Sequence, residues 1–184
     1  MQYETTMDDS QIYFGKAARD SCDLAMSDER AFVLVHHTKF GFLALQSYKD
    51  HKGHHWQLPG GRIDQEEIQQ HGIAGSRRLA ARRELWEETA IDTRRHSMYP
   101  VVLEETPFVH KHRAYFWVEL DPEEKDCHTV SLSKEHIGFQ WVPTLKKLAK
   151  AVSDHSGGKI SSAIREMIKS QYDGPQLERL ANAR

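Results

Sequence analysis

With 184 residues, 39% of them apolar and 28% charged, the chain is long enough for one domain of ordinary size and reads as soluble and globular. Its 25 basic and 27 acidic residues nearly cancel, leaving a net charge near -2, which argues against a protein built to coat DNA or a membrane through a basic surface. A small phosphorylated ligand needs only a few local cations and stays open, as does a homodimer.

In chain order, residues 1–28 are polar, a lead-in or accessory strand, and the start (MQYETTMDDSQ) lacks the form of a signal peptide. Ala31–His36 and Phe40–Gln46, split at Thr38-Lys39, predict a β-hairpin. Tyr48–His55 is polar and histidine-rich and reads as a loop. Trp56-Gln57-Leu58-Pro59-Gly60-Gly61 interrupts regular structure, and Arg62–Asp64 suits a short strand. Asp64 to Glu67 has capping-box form and can open one helical turn, which Gly72 and Gly75 then break. Ser76–Thr89 (SRRLAARRELWEET) is the clearest helix, with Ser76 as its cap. Strands are expected at Val101–Glu105, Ala114–Leu120 and Phe139–Val142, and helices at Thr144–Val152 and Ser161–Gln171. Strands and helices mix without βαβ alternation, so the expected class is α+β. No apolar run approaches the roughly 20 residues of a membrane span. Two cysteines without CxxC spacing, Cys22 and Cys127, fit free thiols in a reducing compartment, and the expected location is cytoplasmic. Histidines such as His36-His37 and His54-His55 are expected to be scattered on the surface, since no spacing resembles a zinc site.

Within the clearest helix, Arg83-Glu84-Leu85-Trp86-Glu87-Glu88 places three carboxylates at i, i+3 and i+4, on one face, while Leu79 and Leu85 turn to the core. Three like charges on one face repel. A solvated acidic face is one reading. Hard oxygen ligands for Mg2+ or Mn2+ are the other.

Upstream stand Trp56–Gly61 (WQLPGG) and Glu66-Glu67; Ala90-Ile91 follow. Together these residues resemble the Nudix box, G-x5-E-x7-R-E-U-x-E-E-x-G-U, with Gly61 and Glu67 at the expected separation. The resemblance extends over about residues 31–152, including Glu135 ahead of Trp141. It implies a single domain with a Nudix-like α/β/α sandwich around a mixed sheet, residues 1–30 and 153–184 being peripheral. It also implies a Mg2+-dependent (or Mn2+-dependent) pyrophosphohydrolase that cuts a diphosphate linkage in a nucleoside diphosphate joined to another group. There are two departures. Eight extra residues lie between Glu67 and the helix, expected as an outward loop around Ile68–Ser76, and Ala90 replaces the glycine that ends the helix. They leave open whether Glu66 or Glu67 fills the first glutamate's place, and they are the only support for the alternative, a Nudix-fold binding or regulatory protein without hydrolysis.

Carried over residue by residue, the resemblance makes Glu84 and Glu88 principal metal ligands, Glu87 a further ligand and Glu67 a ligand or its support, with the Gly61 carbonyl completing the set. Arg83 would hold a neighbouring glutamate. The general base would be a helix glutamate or the later Glu135. Trp56, with Phe108, Tyr115 and Trp117, could stack a base, although aromatics in strands are more often core. His110, Lys111 and Arg113, in a compact basic stretch with His112, could meet an extra phosphate as readily as form a solvated turn.

Overall fold

The computed structural model describes residues 29–50, 53–94, 96–103, 106–123, 128–152 and 158–170. The lead-in up to residue 28, both cysteines, residues 104–105 of the expected strand and Gln171 lie outside them.

The expected hairpin forms as β1 (Arg30–His37) and β2 (Gly41–Lys49). Five apolar residues and two histidines occupy the seven buried positions of the eight in β1, as befits a strand covered on both faces. β1 and β2 pair only near their turn, through His36–Phe42 and His37–Gly41, and then diverge. The fork is filled by β3 (Gly53–Gln57), which pairs with β2, and β4 (Gly60–Arg62), which pairs with the start of β1. Pro59 accepts from the Val33 N–H at 2.9 Å between them. β3 corrects the expected loop: His54 and His55 occupy an edge strand, one outward and one inward.

Helix α1 (Gln65–Thr89) follows directly. The eight extra residues are therefore not a loop; they prolong the helix at its N-terminal end. Gly72 alone breaks the winding (φ 65, ψ 169), while Gly75 sits inside it. Residues 69–75 are nonetheless exposed. Ser76 does not cap. Its hydroxyl donates to the Gly72 carbonyl at 2.6 Å. Leu85 is buried as expected, but Leu79 points outward.

Short strands β5 (Met98–Pro100), β6 (Val102–Leu103), β7 (Thr106–Pro107) and β8 (Val109–His110) lead to β9 (Arg113–Leu120), which runs parallel to β1 along its whole length. β6 and β7 form a separate ribbon, in place of one strand at 101–105. β10 (His136–Val142) closes the other edge against β2, giving the order β10-β2-β1-β9-β5. Helices α2 (Leu145–Ala151) and α3 (Gly158–Ser170) finish the described chain; Thr144 caps α2 by accepting from the Lys147 N–H.

Side chains alternate across the sheet, and two cores result. Ala31, Val33, Val35, Leu43 and Leu45 meet Ala80, Ala81 and Leu85 of α1. Phe32, Leu34, Phe42 and Tyr115 meet Leu148 of α2 and Ile164 and Met167 of α3. The architecture is the expected α+β arrangement, a mixed sheet between helices on both faces.

Candidate functional site

The glutamates of α1 meet the sheet at the fork. Gly60 has φ +138, and a Cβ there would strike the Ala31 carbonyl, so only glycine lets β4 run this close to β1. The Gly60 N–H then donates to Glu88 Oε2 at 2.8 Å. Gly61 lies against Glu84: a Cβ on it would sit 2.6 Å from that carboxylate. The Gly-Gly pair thus brings main chain into contact with two carboxylates.

Arg83 organises the rest. Its guanidinium donates to Glu67 Oε1 at 3.2 Å, Glu84 Oε1 at 2.9 Å, Glu87 Oε2 at 3.3 Å and the Arg62 carbonyl at 3.1 Å. Burial alone would lower its pKa, but the Glu67 and Glu84 partners outweigh this and raise it. Glu67 also accepts from the Asp64 N–H at 3.2 Å. The box glutamate that faces this network is therefore Glu67; Glu66 is exposed.

The carboxylates differ in setting. Glu87 is 57% exposed. Glu84 is largely buried, and burial raises its pKa against the lowering effect of Arg83, with Glu87 and Glu135 adding to the rise. Glu88 is 5% exposed. Burial pushes it up to about 8, opposed by the Gly60 N–H and reinforced by Glu84, Glu135 and Glu87. Clustered carboxylates with raised affinity for a proton have the same electrostatic need for a cation. Among the described residues, no three His, Cys, Asp or Glu groups already surround one point as a metal cage; Arg83 lies among the carboxylates instead.

Glu135 is exposed in the turn before β10, and its charge reaches both Glu84 and Glu88. The turn is anchored to the end of α1: Ser131 N–H donates to the Thr89 carbonyl at 3.0 Å, and Ser133 N–H to the Glu88 carbonyl at 3.3 Å. His136, which the sequence reading passed over, is buried with its Nε2 3.4 Å from Glu88 Oε1 and 3.0 Å from Gln57 Nε2. Its place beside Glu135 was the only available signal. His36, His37, His55 and His96 are also buried, which corrects the expectation of surface histidines.

Ala90 takes the left-handed conformation (φ 58, ψ 18) that a glycine would adopt, and its N–H donates to the Trp86 carbonyl at 2.8 Å. The helix therefore ends as the box requires, and neither departure displaces a carboxylate.

The other predicted residues stand apart from the glutamates. Trp56 packs on the α2 side, lining a cleft of about 390 Å³ with Trp141, Lys147 and Lys150. Phe108, Tyr115 and Trp117 pack against the same core, so the core reading of these aromatics prevails. His110 and Arg113 face one another across β8 and β9, with Lys111 and His112 forming the turn, both at positive φ.

In this mixed sheet between helices, Glu84 and Glu88 of α1 thus lie against the Gly60-Gly61 pair. The family model described as the NUDIX domain matches residues 26–157, well over half of the chain, and the chain belongs to the NUDIX family of hydrolases. No curated protein matches it in sequence. Among solved structures it is similar to an Ap4A hydrolase from C. elegans, in a binary complex, at 22% identity and TM-score 0.53, covering 79% of this chain and 100% of that one. It is also similar to the Nudix hydrolase RenU from M. smegmatis, at 18% identity and TM-score 0.53, covering 80% and 88%. At these identities the likeness is one of fold. Among the described residues no helix is long and apolar enough to cross a membrane.

Proposed function

We propose that the chain hydrolyses a diphosphate linkage in a nucleoside diphosphate joined to another group, with Mg2+ or Mn2+ held by the α1 glutamates. The observation that carries this reading is the contact of two largely buried carboxylates, Glu84 and Glu88, with Gly61 and the Gly60 N–H. Glu84 and Glu88 would be the main ligands and Glu87, exposed on the same face, a further one. Glu67 would serve as ligand or support, and the Gly61 carbonyl would complete the set. A bound divalent ion would neutralise the diphosphate and acidify a water.

The chain's own groups do the rest. Arg83 holds Glu67, Glu84 and Glu87 apart from one another and supplies the charge that lets them sit close. The Gly60 N–H fixes one oxygen of Glu88, leaving the other turned toward His136. Glu135 overlooks both ligands from a turn tied to α1, and it is our choice for the base that takes a proton from water, ahead of the helix glutamates. Trp56 would border the nucleoside. Residues 26–157 would carry the whole site, as a single domain, in the cytoplasm.

Release of phosphate or nucleotide from a panel of ADP-ribose, dinucleoside tetraphosphate, capped RNA and nucleoside triphosphates, with and without Mg2+ or Mn2+, tests the reading. Metal-dependent cleavage of at least one diphosphate substrate is expected. Absence of cleavage across the panel at either metal would overturn it.

A further inference from the structure

β10 begins with an irregularity. His136 pairs with Ser47 of β2, but Gly138 pairs with Gln46, so Ile137 is an extra residue in the ladder. In a regular strand, residues an odd number apart lie on opposite faces. The bulge reverses this for His136 and Phe139. Their partners are Ser47 and Leu45, which share a face, and Leu45 packs in the core beneath α1. Gln57 of β3 also pairs with Leu45, and residues directly opposite share a face. The extra residue therefore turns His136 to the α1 side, with Gln57 and the glutamates, and leaves Ile137 exposed. Bulges that re-aim one side chain recur beside active sites.

The ring so placed is dry. The His136 side chain is 1% exposed and that of Glu88 7%. Its Nε2 lies 3.4 Å from Glu88 Oε1 and 3.0 Å from Gln57 Nε2; its Nδ1 lies 3.4 Å from Ser133 Oγ. Ser133 Oγ accepts from the Glu135 N–H at 3.3 Å, and its own hydrogen is left to give to Nδ1. That makes Nδ1 the acceptor and Nε2 the N–H of the ring. A carboxylate that holds a cation is ionised and offers only lone pairs, so only an Nε2–H can hold it. The Gln57 amide, which fits either way round, then turns its oxygen to the same hydrogen. With Nε2 bare, the Gln57 amide would donate to it and Glu88 would face a lone pair.

Glu88 Oε2 accepts from the Gly60 N–H at 2.8 Å. With Oε1 on the ring, the carboxylate is fixed at both ends, by β4 and by β10, and each oxygen keeps a lone pair for a cation. We infer that His136 is a positioning residue whose Nε2–H fixes the Glu88 carboxylate in the orientation that binds metal. The inference rests on the metal site proposed at α1, but not on the reaction carried out there.

Two measurements test it. Long-range proton–nitrogen NMR of the full chain with Mg2+ reads the ring directly. Hydrogen on His136 Nε2 is expected; a ring with its hydrogen on Nδ1 alone overturns the inference without any variant. Mn2+ titration followed by electron paramagnetic resonance, with no substrate present, reads the consequence. His136→Leu fills the same dry space without an N–H, and it should weaken Mn2+ binding about tenfold or more, as loss of a group that orients a ligand does. His136→Gln, whose amide N–H reaches to the place of Nε2–H, should recover most of that loss. A space-filling role would reverse the order of the two variants. Wild-type affinity in a folded His136→Leu protein, or His136→Gln binding no better than His136→Leu, overturns the inference and leaves the metal site standing. A wild-type protein that binds no Mn2+ overturns it together with the metal site proposed at α1.

Discussion

Gly61→Ala isolates the position of one carboxylate from the stability of the fold. The new Cβ would lie 2.6 Å from Glu84 Oε2 and 2.7 Å from Oε1, where ordinary contacts begin at 3.4 Å. The Glu84 carboxylate must therefore retreat by roughly 1 Å, a displacement that can reduce turnover about 10²-fold when it misplaces a reacting group. The obstacle is the end of a flexible side chain and Gly61 does not have positive φ. The stability loss should stay below about 1 kcal/mol, a melting shift of no more than about 4 °C. Gly60→Ala is the contrast: at φ +138 its Cβ would meet the Ala31 carbonyl and come within 2.7 Å of the Phe32 Cα, so about 3 kcal/mol of stability should be lost. Thermal melts and Mg2+-dependent phosphate release, measured together, separate the two. Wild-type turnover in a folded Gly61→Ala protein would refute the claim that Glu84 works from its place against Gly61.

Ala90→Gly should stabilise by about 1 kcal/mol, because alanine is strained at φ 58; a melting temperature that fails to rise by about 2–4 °C would show the helix end is relaxed. His36 is pushed down to about 4 by burial, with His37 adding to the effect. Its folded form binds a proton less readily than the unfolded one, so the stability it contributes is complete above pH 6.5 and lost as pH falls through 4. Replacing His36→Leu should flatten urea-derived stability over that window, and parallel wild-type and variant curves would contradict the assignment. Glu135→Gln should lower kcat by ~10²–10⁴-fold with little change in KM or metal affinity if Glu135 is the base; partial rescue by added metal would make it a ligand, and an unchanged kcat would move the base to α1.

The acidic helix was legible because its spacing is local: i, i+3 and i+4 determine a shared face whatever the rest of the chain does. The hairpin and β9 were legible from their apolar runs. β3 was not, because an edge strand carrying Gly53, His54 and His55 has the composition of a loop, and only pairing with β2 makes it a strand. The extra residues misled for the opposite reason. Two glycines suggested a loop, but Gln69, Gln70, Ala74 and Arg77 around them favour helix, and only Gly72 takes a conformation that breaks it.

The central claim is that the α1 carboxylates hold the metal that drives hydrolysis, and Glu88→Gln tests it most directly. The amide preserves size but removes the charge, and it can still accept from the Gly60 N–H. Mn2+ binding followed by electron paramagnetic resonance, alongside Mg2+-dependent turnover of the best panel substrate, should show both falling together, turnover by ~10²-fold or more. Unchanged metal affinity and unchanged Mg2+-dependent turnover in a folded Glu88→Gln protein would contradict it.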